Sequence, residues 1–163
     1  MALFLDTFVN KVDRKGRISV PAPYRTALSP QIFQGIVAFP SFRAPALQCA
    51  GMDWMETVST NMAQVDLFSD AYDDLTATLF ADSKQLAFDG EGRIILPPAF
   101  LAHAGIGDMA AFVGRGKIFE IWEPVALEAH KVEARRRALE QRRTLRMDNG
   151  TGPAALPPGR SDR

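Results

Sequence analysis

Cysteine, histidine and long apolar runs are scarce in this chain, and each shortage removes a class of function. Cys49 is the only cysteine, so no disulfide forms within the chain and a reducing compartment is the expected setting. His103 and His130 are the only histidines. No cysteine or carboxylate stands at metal-ligand spacing around them, which leaves a zinc or di-metal centre without support. No Gly-x-x-x-x-Gly-Lys-[Ser/Thr] or Gly-x-Gly-x-x-Gly run is present to cradle a nucleotide, and nothing resembles a nucleophile with its base. Asp6, Asn10 and Lys11 interrupt the apolar start, so neither a signal core nor a membrane span is expected. The expectation is a soluble, cytoplasmic protein with no cofactor, metal, small-molecule substrate or catalysis.

Net charge is also missing: 19 Lys and Arg balance 19 Asp and Glu. The average conceals a division. From Met1 to Pro40, Lys11, Arg14, Lys15, Arg17 and Arg25 oppose only Asp6 and Asp13. From Asp53 to Glu91, Lys84 is the lone cation among Asp53, Glu56, Asp66, Asp70, Asp73, Asp74, Asp82, Asp89 and Glu91. Basic residues return at Lys117, Lys131, Arg135, Arg136, Arg137, Arg142, Arg143 and Arg146. Positive charge is therefore local, as an electrostatic footprint for a polyanion would be.

The chain does hold a repeat. Asp13-Arg14-Lys15-Gly16-Arg17-Ile18-Ser19-Val20-Pro21 returns, without a gap, as Asp89-Gly90-Glu91-Gly92-Arg93-Ile94-Ile95-Leu96-Pro97. One supersecondary unit is used twice. Asp13 and Asp89 can bond the backbone of their own turns, and Gly16 and Gly92 can take the positive φ of a reversal. A turn of this kind ending in arginine presents a guanidinium from a rigid support, suited to phosphates or guanine edges.

Short strand-like runs flank each turn, Phe8 to Val12 and Arg17 to Val20, then Gln85 to Phe88 and Arg93 to Leu96, so each unit is expected to open with a hairpin or tight β loop. Proline then starts short helices at Pro23 to Leu28 and Pro98 to Ala104. Ile36 to Phe39 and a weaker Ala46 to Ala50 follow in the first unit. Ala111 to Val113, the turn Gly114-Arg115-Gly116 and Ile118 to Trp122 follow in the second. Between the units lies a helical insert. Asp53 and Glu56 suggest a capping box, Met55, Val58, Met62 and Val65 share one face, and Ser69 is a cap for a second helix with Tyr72, Leu75 and Leu79 on one side. These apolar positions read as packing on the sheet rather than a ligand site. Glu123-Pro124 opens a helix to about Met147, and the Gly- and Pro-rich remainder is expected to be disordered. The implied divisions are a first unit over 7–54, the insert over 55–82, a second unit over 83–126, a basic helix over 127–147 and a tail over 148–163. Each unit is too small to be comfortable alone, so the two should pack on each other or on another subunit.

With both copies and their flanks in view, the chain resembles the MraZ family of bacterial transcriptional regulators, within the wider group of SpoVT/AbrB-type swapped-hairpin DNA-binding domains. The resemblance spans about Phe4 to His130. It rests on Val9 through Pro21, Tyr24-Arg25, Asp89 through Arg93, His103-Ala104-Gly105, Phe112-Val113-Gly114 and Phe119 through Trp122. It implies an α+β protein of two tandem swapped-hairpin units forming a pseudo-dimer, with a helical insert and a C-terminal helix. It further implies a ring-shaped homo-oligomer, associated with the nucleoid, that binds short repeated guanine-containing boxes in double-stranded promoter DNA. Such proteins typically repress the division and cell-wall gene cluster in which their own gene lies.

The DNA-facing residues that the resemblance carries over are Arg14, Lys15, Arg17 and Arg25 in the first unit and Arg93 in the second. Two readings stand for Arg17 and Arg93: contact with bases or phosphates, or closure of their own turns through Asp13 and Asp89. Both can hold together. Arg14 and Lys15, at the loop tip, suit phosphates. The second copy departs from the first, with Glu91 in place of Lys15 and Leu101 in place of Arg25. Arg17 is thus expected to lead and Arg93 to echo it more weakly. The arginines of the last helix read as a solvated face paired with Glu133 and Glu140, with contact to DNA or to a neighbouring subunit as the alternatives. The rivals from other classes are an antitoxin-like partner-binding protein, usually one copy with a long tail, and a small hydrolase or methyltransferase, for which no site is found.

Overall fold

Eight strands and five helices alternate in the computed structural model, which describes residues 2–142. The chain runs β1 (Thr7–Lys11), β2 (Arg17–Ser19), α1 (Ala22–Leu28), β3 (Gly35–Pro40), β4 (Leu47–Ala50), α2 (Met52–Met62) and α3 (Asp70–Leu79). It continues through β5 (Lys84–Ala87), β6 (Arg93–Ile95), α4 (Pro98–Ala104), β7 (Met109–Gly114), β8 (Phe119–Trp122) and α5 (Pro124–Gln141). The fold class is α+β, as expected. Residues up to Glu128 make one compact unit, and the later part of α5 forms another. The tail over 148–163, and the stretch of the basic helix beyond Arg142, including Arg143 and Arg146, lie outside the described residues.

The strands around each glycine turn do not form the local two-stranded hairpin that their sequence allows. In the first turn the strand pairing is limited to the bridge Val12↔Ile18, with the Asn10 side chain donating to the Ser19 carbonyl at 2.8 Å. β1 instead pairs with β7 and β5 with β3, while β2 pairs with β6 in a separate two-stranded sheet. The remaining strands complete a six-stranded antiparallel sheet in the order β1-β7-β8-β4-β3-β5. Each unit therefore lends its first strand to the other. The physical reason lies in strand length and burial: β2 and β6 have three residues each, too few to hold a hairpin in water. Pairing with the matching strand buries Ile18 directly against Ile94, both 1% exposed.

The register is nearly its own image under exchange of the units. Ile18 faces Ile94 at the centre of β2–β6, and Gln48 faces Glu120 at the centre of β4–β8. β4, weak as a sequence signal, is interior because β3 and β8 flank it on both sides. Side chains from both units fill one core, among them Ile18, Val20, Tyr24, Leu28, Ile36, Leu86, Ile94, Leu96, Phe100, Phe112 and Phe119. Phe4 joins it, edge-on to Tyr24, and the Tyr24 hydroxyl donates to the Asp6 carbonyl at 2.8 Å.

Proline-started helices occur where expected, with Pro23 and Pro98 in the first turns of α1 and α4. In the insert, Ser69 caps α3 by accepting from the Tyr72 N–H. The capping box does not form. α2 begins two residues early behind an extended Gly51, which leaves Asp53 inside the first turn, where its carboxylate still faces the positive helix end. α2 stops at Met62, so Val65 falls beyond it. Met55 and Leu79 pack on Val37 and Phe39 of the sheet, with Val58 partly buried beside them. Leu75 stays 38% exposed. α5 is capped by Glu123, whose carboxylate accepts from the N–H groups of Val125 and Ala126.

Candidate nucleic-acid interface

The two glycine turns are built by the same hydrogen bonds. In the first, Asp13 Oδ1 accepts from the N–H groups of Lys15 and Arg17, both at 2.9 Å, and Asp13 Oδ2 accepts from Arg17 Nε at 2.6 Å. In the second, Asp89 Oδ1 accepts from Glu91 and Arg93 N–H, both at 2.9 Å, and Asp89 Oδ2 from Arg93 Nε at 2.8 Å. Gly16 and Gly92 take φ of 81° and 75°, the region in which a side chain is strained. The backbone N–H of Arg17, then the Arg17 side chain and the Lys15 N–H, hold the Asp13 carboxyl below its ordinary value. Arg93 N–H, then Glu91 N–H and the Arg93 side chain, do the same for Asp89. The carboxylates are thus integral to the turns, and each holds its arginine at Nε.

The turns also interlock. Leu96 N–H donates to the Gly16 carbonyl at 2.8 Å, and Val20 N–H to the Gly92 carbonyl at 3.1 Å. Side chains alternate across the β2–β6 ribbon, with Ile18 and Ile94 inward and Arg17, Ser19, Arg93 and Ile95 outward. Arg17 faces Ile95 and Arg93 faces Ser19, so the two arginines are diagonal neighbours, a separation of about 7–8 Å along such a pair. The proximity is felt electrostatically: Asp89 first, then Glu91 and Asp13 of the other turn, strengthen the hold of Arg93 on its proton.

Each residue singled out from the sequence has a definite place. Arg14 and Lys15 are exposed at the tip of the first turn, and Arg17 and Arg93 are half-buried along the ribbon. Arg93 also lies 3.6 Å from Glu91. Arg25 is the exception to the expected grouping. Although it belongs to the first unit, its guanidinium lies over the second turn. A Cβ on Gly92 would stand 2.7 Å from Arg25 Cδ and 2.8 Å from Nη1. Over Gly16, the matching place is held by Leu101, whose Cδ1 would be 3.7 Å from such a Cβ.

The sequence reading did not single out Ile95. It is 57% exposed on the arginine face of the ribbon, a position that suits apolar contact with a thymine methyl group. The period-two alternation around Ile94 was its only signal. In the last helix, Arg136 pairs with Glu133 and Glu140, and Arg135 and Arg137 are exposed. Among the described residues no group of three or more His, Cys, Asp and Glu side chains gathers to hold a metal. No helix among them is long and apolar enough to cross a membrane.

Two interlocked units that present paired Asp-braced arginines on one ribbon define a class of repeat protein in which one arginine turn is used twice on a shared face. Comparison with known proteins makes the assignment specific. The family model described as "MraZ protein, putative antitoxin-like" matches residues 79–147. The transcriptional regulator MraZ of Rickettsia akari (strain Hartford) is 43% identical over 149 residues, 91% of this chain and 100% of the relative. That of Rickettsia rickettsii (strain Sheila Smith) is 43% identical over 146 residues, 90% of this chain and 98% of the relative. That of Rickettsia bellii (strain OSU 85-389) is 42% identical over 150 residues, 91% and 100% of the two chains. The chain belongs to the MraZ family of transcriptional regulators.

Proposed function

We propose that this protein is a sequence-specific binder of double-stranded promoter DNA that acts through the paired turns. One observation carries the reading: Arg17 and Arg93 stand diagonally on the outer face of the β2–β6 ribbon, each braced at Nε by its own aspartate. Bracing lowers the entropy lost when the guanidinium engages a ligand. A braced arginine gives bidentate bonds to guanine O6 and N7, or to a phosphate. Arg14 and Lys15 supply phosphate contacts from the exposed tip, and Arg25 adds a further cation.

The strand exchange supports reading residues 7–54 and 83–126 as two swapped-hairpin units in a pseudo-dimer. Family membership supports the finer role: a cytoplasmic, nucleoid-associated repressor of the division and cell-wall cluster that includes its own gene. It also supports a homo-oligomeric ring meeting several guanine-containing boxes. One ribbon binds weakly, and multivalent binding along repeated boxes raises the effective concentration of each further contact. The words antitoxin-like in the family description point to a protein-masking partner instead. The matched pair of turns on one face favours DNA, whose repeating phosphates present the same ligand twice.

The test is binding of a duplex from the region upstream of its own coding sequence, with wild type, Arg17→Ala and Arg93→Ala. Wild type is expected to bind with affinity that falls steeply as salt rises, and both variants are expected to bind about tenfold or more weakly. Variants that retain wild-type affinity with an unchanged assembly state would overturn the assignment. A protein that is monomeric at micromolar concentration would remove the multivalent mechanism.

A further inference from the structure

The helical insert carries an apolar tip that its own chain leaves uncovered. Leu67 and Phe68, in the turn between α2 and α3, are 60% and 92% exposed. Hydrogen bonds pin the backbone that presents them. Asp66 Oδ1 accepts from the Phe68 N–H at 3.1 Å, the Ser69 hydroxyl donates to the Asp66 carbonyl at 2.7 Å, and Ser69 in turn caps α3. An aromatic side chain held out in water on a preorganised turn loses little backbone freedom when a partner buries it.

The same insert has a cavity of about 320 Å³ where α2 and the end of α3 meet β3 and β5. Val37, Met52, Met55 and Phe80 give it an apolar lining, and all four belong to the cluster that packs the insert on the sheet. Exposed Glu56, Ser59 and Lys84 make its rim polar. The tip does not fill the cavity of its own chain. Met52, Met55 and Ser59 lie along α2 while the tip follows the end of that helix, and a Phe68 folded back into the cavity would not be 92% exposed. The charges match between copies: Asp66 and Asp70 flank the tip, and Lys84 on the rim is the only cation from Asp53 to Glu91. Glu56 shares the rim, so an acidic tip is drawn in from the Lys84 side. The arginine turns occur twice, but the insert occurs once, so each copy has one tip and one cavity.

We infer that the Leu67–Phe68 tip of one copy seats in the α2 cavity of the next, head to tail. The inference rests on the homo-oligomeric reading above and gives it an interface. Two different surfaces of one chain make a heterologous contact, which repeats from copy to copy and closes into a ring when the rotation allows. A single aromatic anchor in a preformed apolar pocket, rimmed by polar groups, is the usual anatomy of an interface hot spot. Neither arginine turn contributes a residue to the tip or the cavity.

Sedimentation of the full chain at micromolar concentration tests this, with Phe68→Asp as the tip variant and Ser59→Arg as the cavity variant. Both positions are exposed, so both variants should keep the wild-type unfolding midpoint. If Ser59→Arg shifts it, Lys84→Glu serves as the cavity variant. Wild type is expected to run larger than a dimer. Each variant alone is expected to lose affinity between copies by about thirtyfold or more and to run as a monomer. Mixed, the two are expected to form a one-to-one dimer that grows no further, because the intact tip of the cavity variant meets the intact cavity of the tip variant. Single variants that keep the wild-type size, or a mixture that stays monomeric, overturn the contact. A wild type no larger than a dimer overturns the ring reading together with it. A wild type that assembles as expected but does not bind the duplex sinks the DNA-binding reading alone.

Discussion

The turn at Asp13–Arg17 and the turn at Asp89–Arg93 share every backbone and carboxylate hydrogen bond, yet they differ in what lies over the glycine. Above Gly16 is the backbone carbonyl of Leu96, with Leu101 beyond it; above Gly92 is the flexible stem of Arg25. The comparison teaches that the local chemistry of a repeated motif can be conserved in full while its neighbourhood is set by the opposite repeat. The surface around the arginines is therefore better divided by turn than by unit.

The largest effect should come from the residues that make the two turns one structure. Ile18→Ala or Ile94→Ala is expected to cost about 2–5 kcal/mol and to loosen both turns together, because each isoleucine packs on its counterpart. Chemical denaturation followed by two probes, one near each turn, would check this, and separate transitions would show that the units fold independently. Next come the glycines. A left-handed conformation costs an L residue roughly 1–2 kcal/mol at either site. In Gly16→Ala the new Cβ also stands 2.7 Å from the Leu96 carbonyl oxygen, which cannot give way, so it should destabilise more than Gly92→Ala. The second variant meets only a side chain, and should instead show its loss in DNA affinity as Arg25 is displaced. Equal unfolding midpoints for the two variants would contradict this ordering.

Glu91→Lys should make the turns more alike. It removes the carboxylate near Arg93, adds a tip cation in the place of Lys15, and is expected to tighten duplex binding severalfold with a salt slope steeper by about one. Unchanged affinity would mean that the tip of the second turn does not face DNA. The smallest effect is on pH. Asp13 and Asp89 are both held below the ordinary 3.8. Their depressed values mean that the stabilisation is present above the unfolded value and is lost as pH falls through the folded one. The turns should stay intact at neutral pH and loosen only below about 3.8. Carboxyl titration by NMR checks this, and a midpoint above 3.8 for either aspartate would exclude the bracing role.

What was legible in the chain was what is decided within a few residues. The Asp-x-x-Gly-Arg turn closes through bonds spanning four positions, so its geometry follows from its own residue types. The proline starts and the Ser69 cap are local in the same sense. The capping box was misplaced because Gly51 competes for the cap from one residue upstream of α2. Ile95 carries no clear mark in the sequence, because exposure depends on what packs against a strand, which an alternating pattern leaves undetermined at three residues.

By itself, the sequence determined that two equivalent arginine turns exist, since each forms by short-range hydrogen bonds that need no partner. Tertiary structure alone decided the pairing. The two copies have the same pattern, so the first strand of either unit suits β3 or β7 by composition, and the exchanged arrangement is set by long-range packing in the shared core, Ile18 against Ile94 included. That same exchange sets Arg25 over Gly92 rather than Gly16. A contact between residues so far apart in the chain is fixed by topology, which residue types at separate positions do not encode one by one.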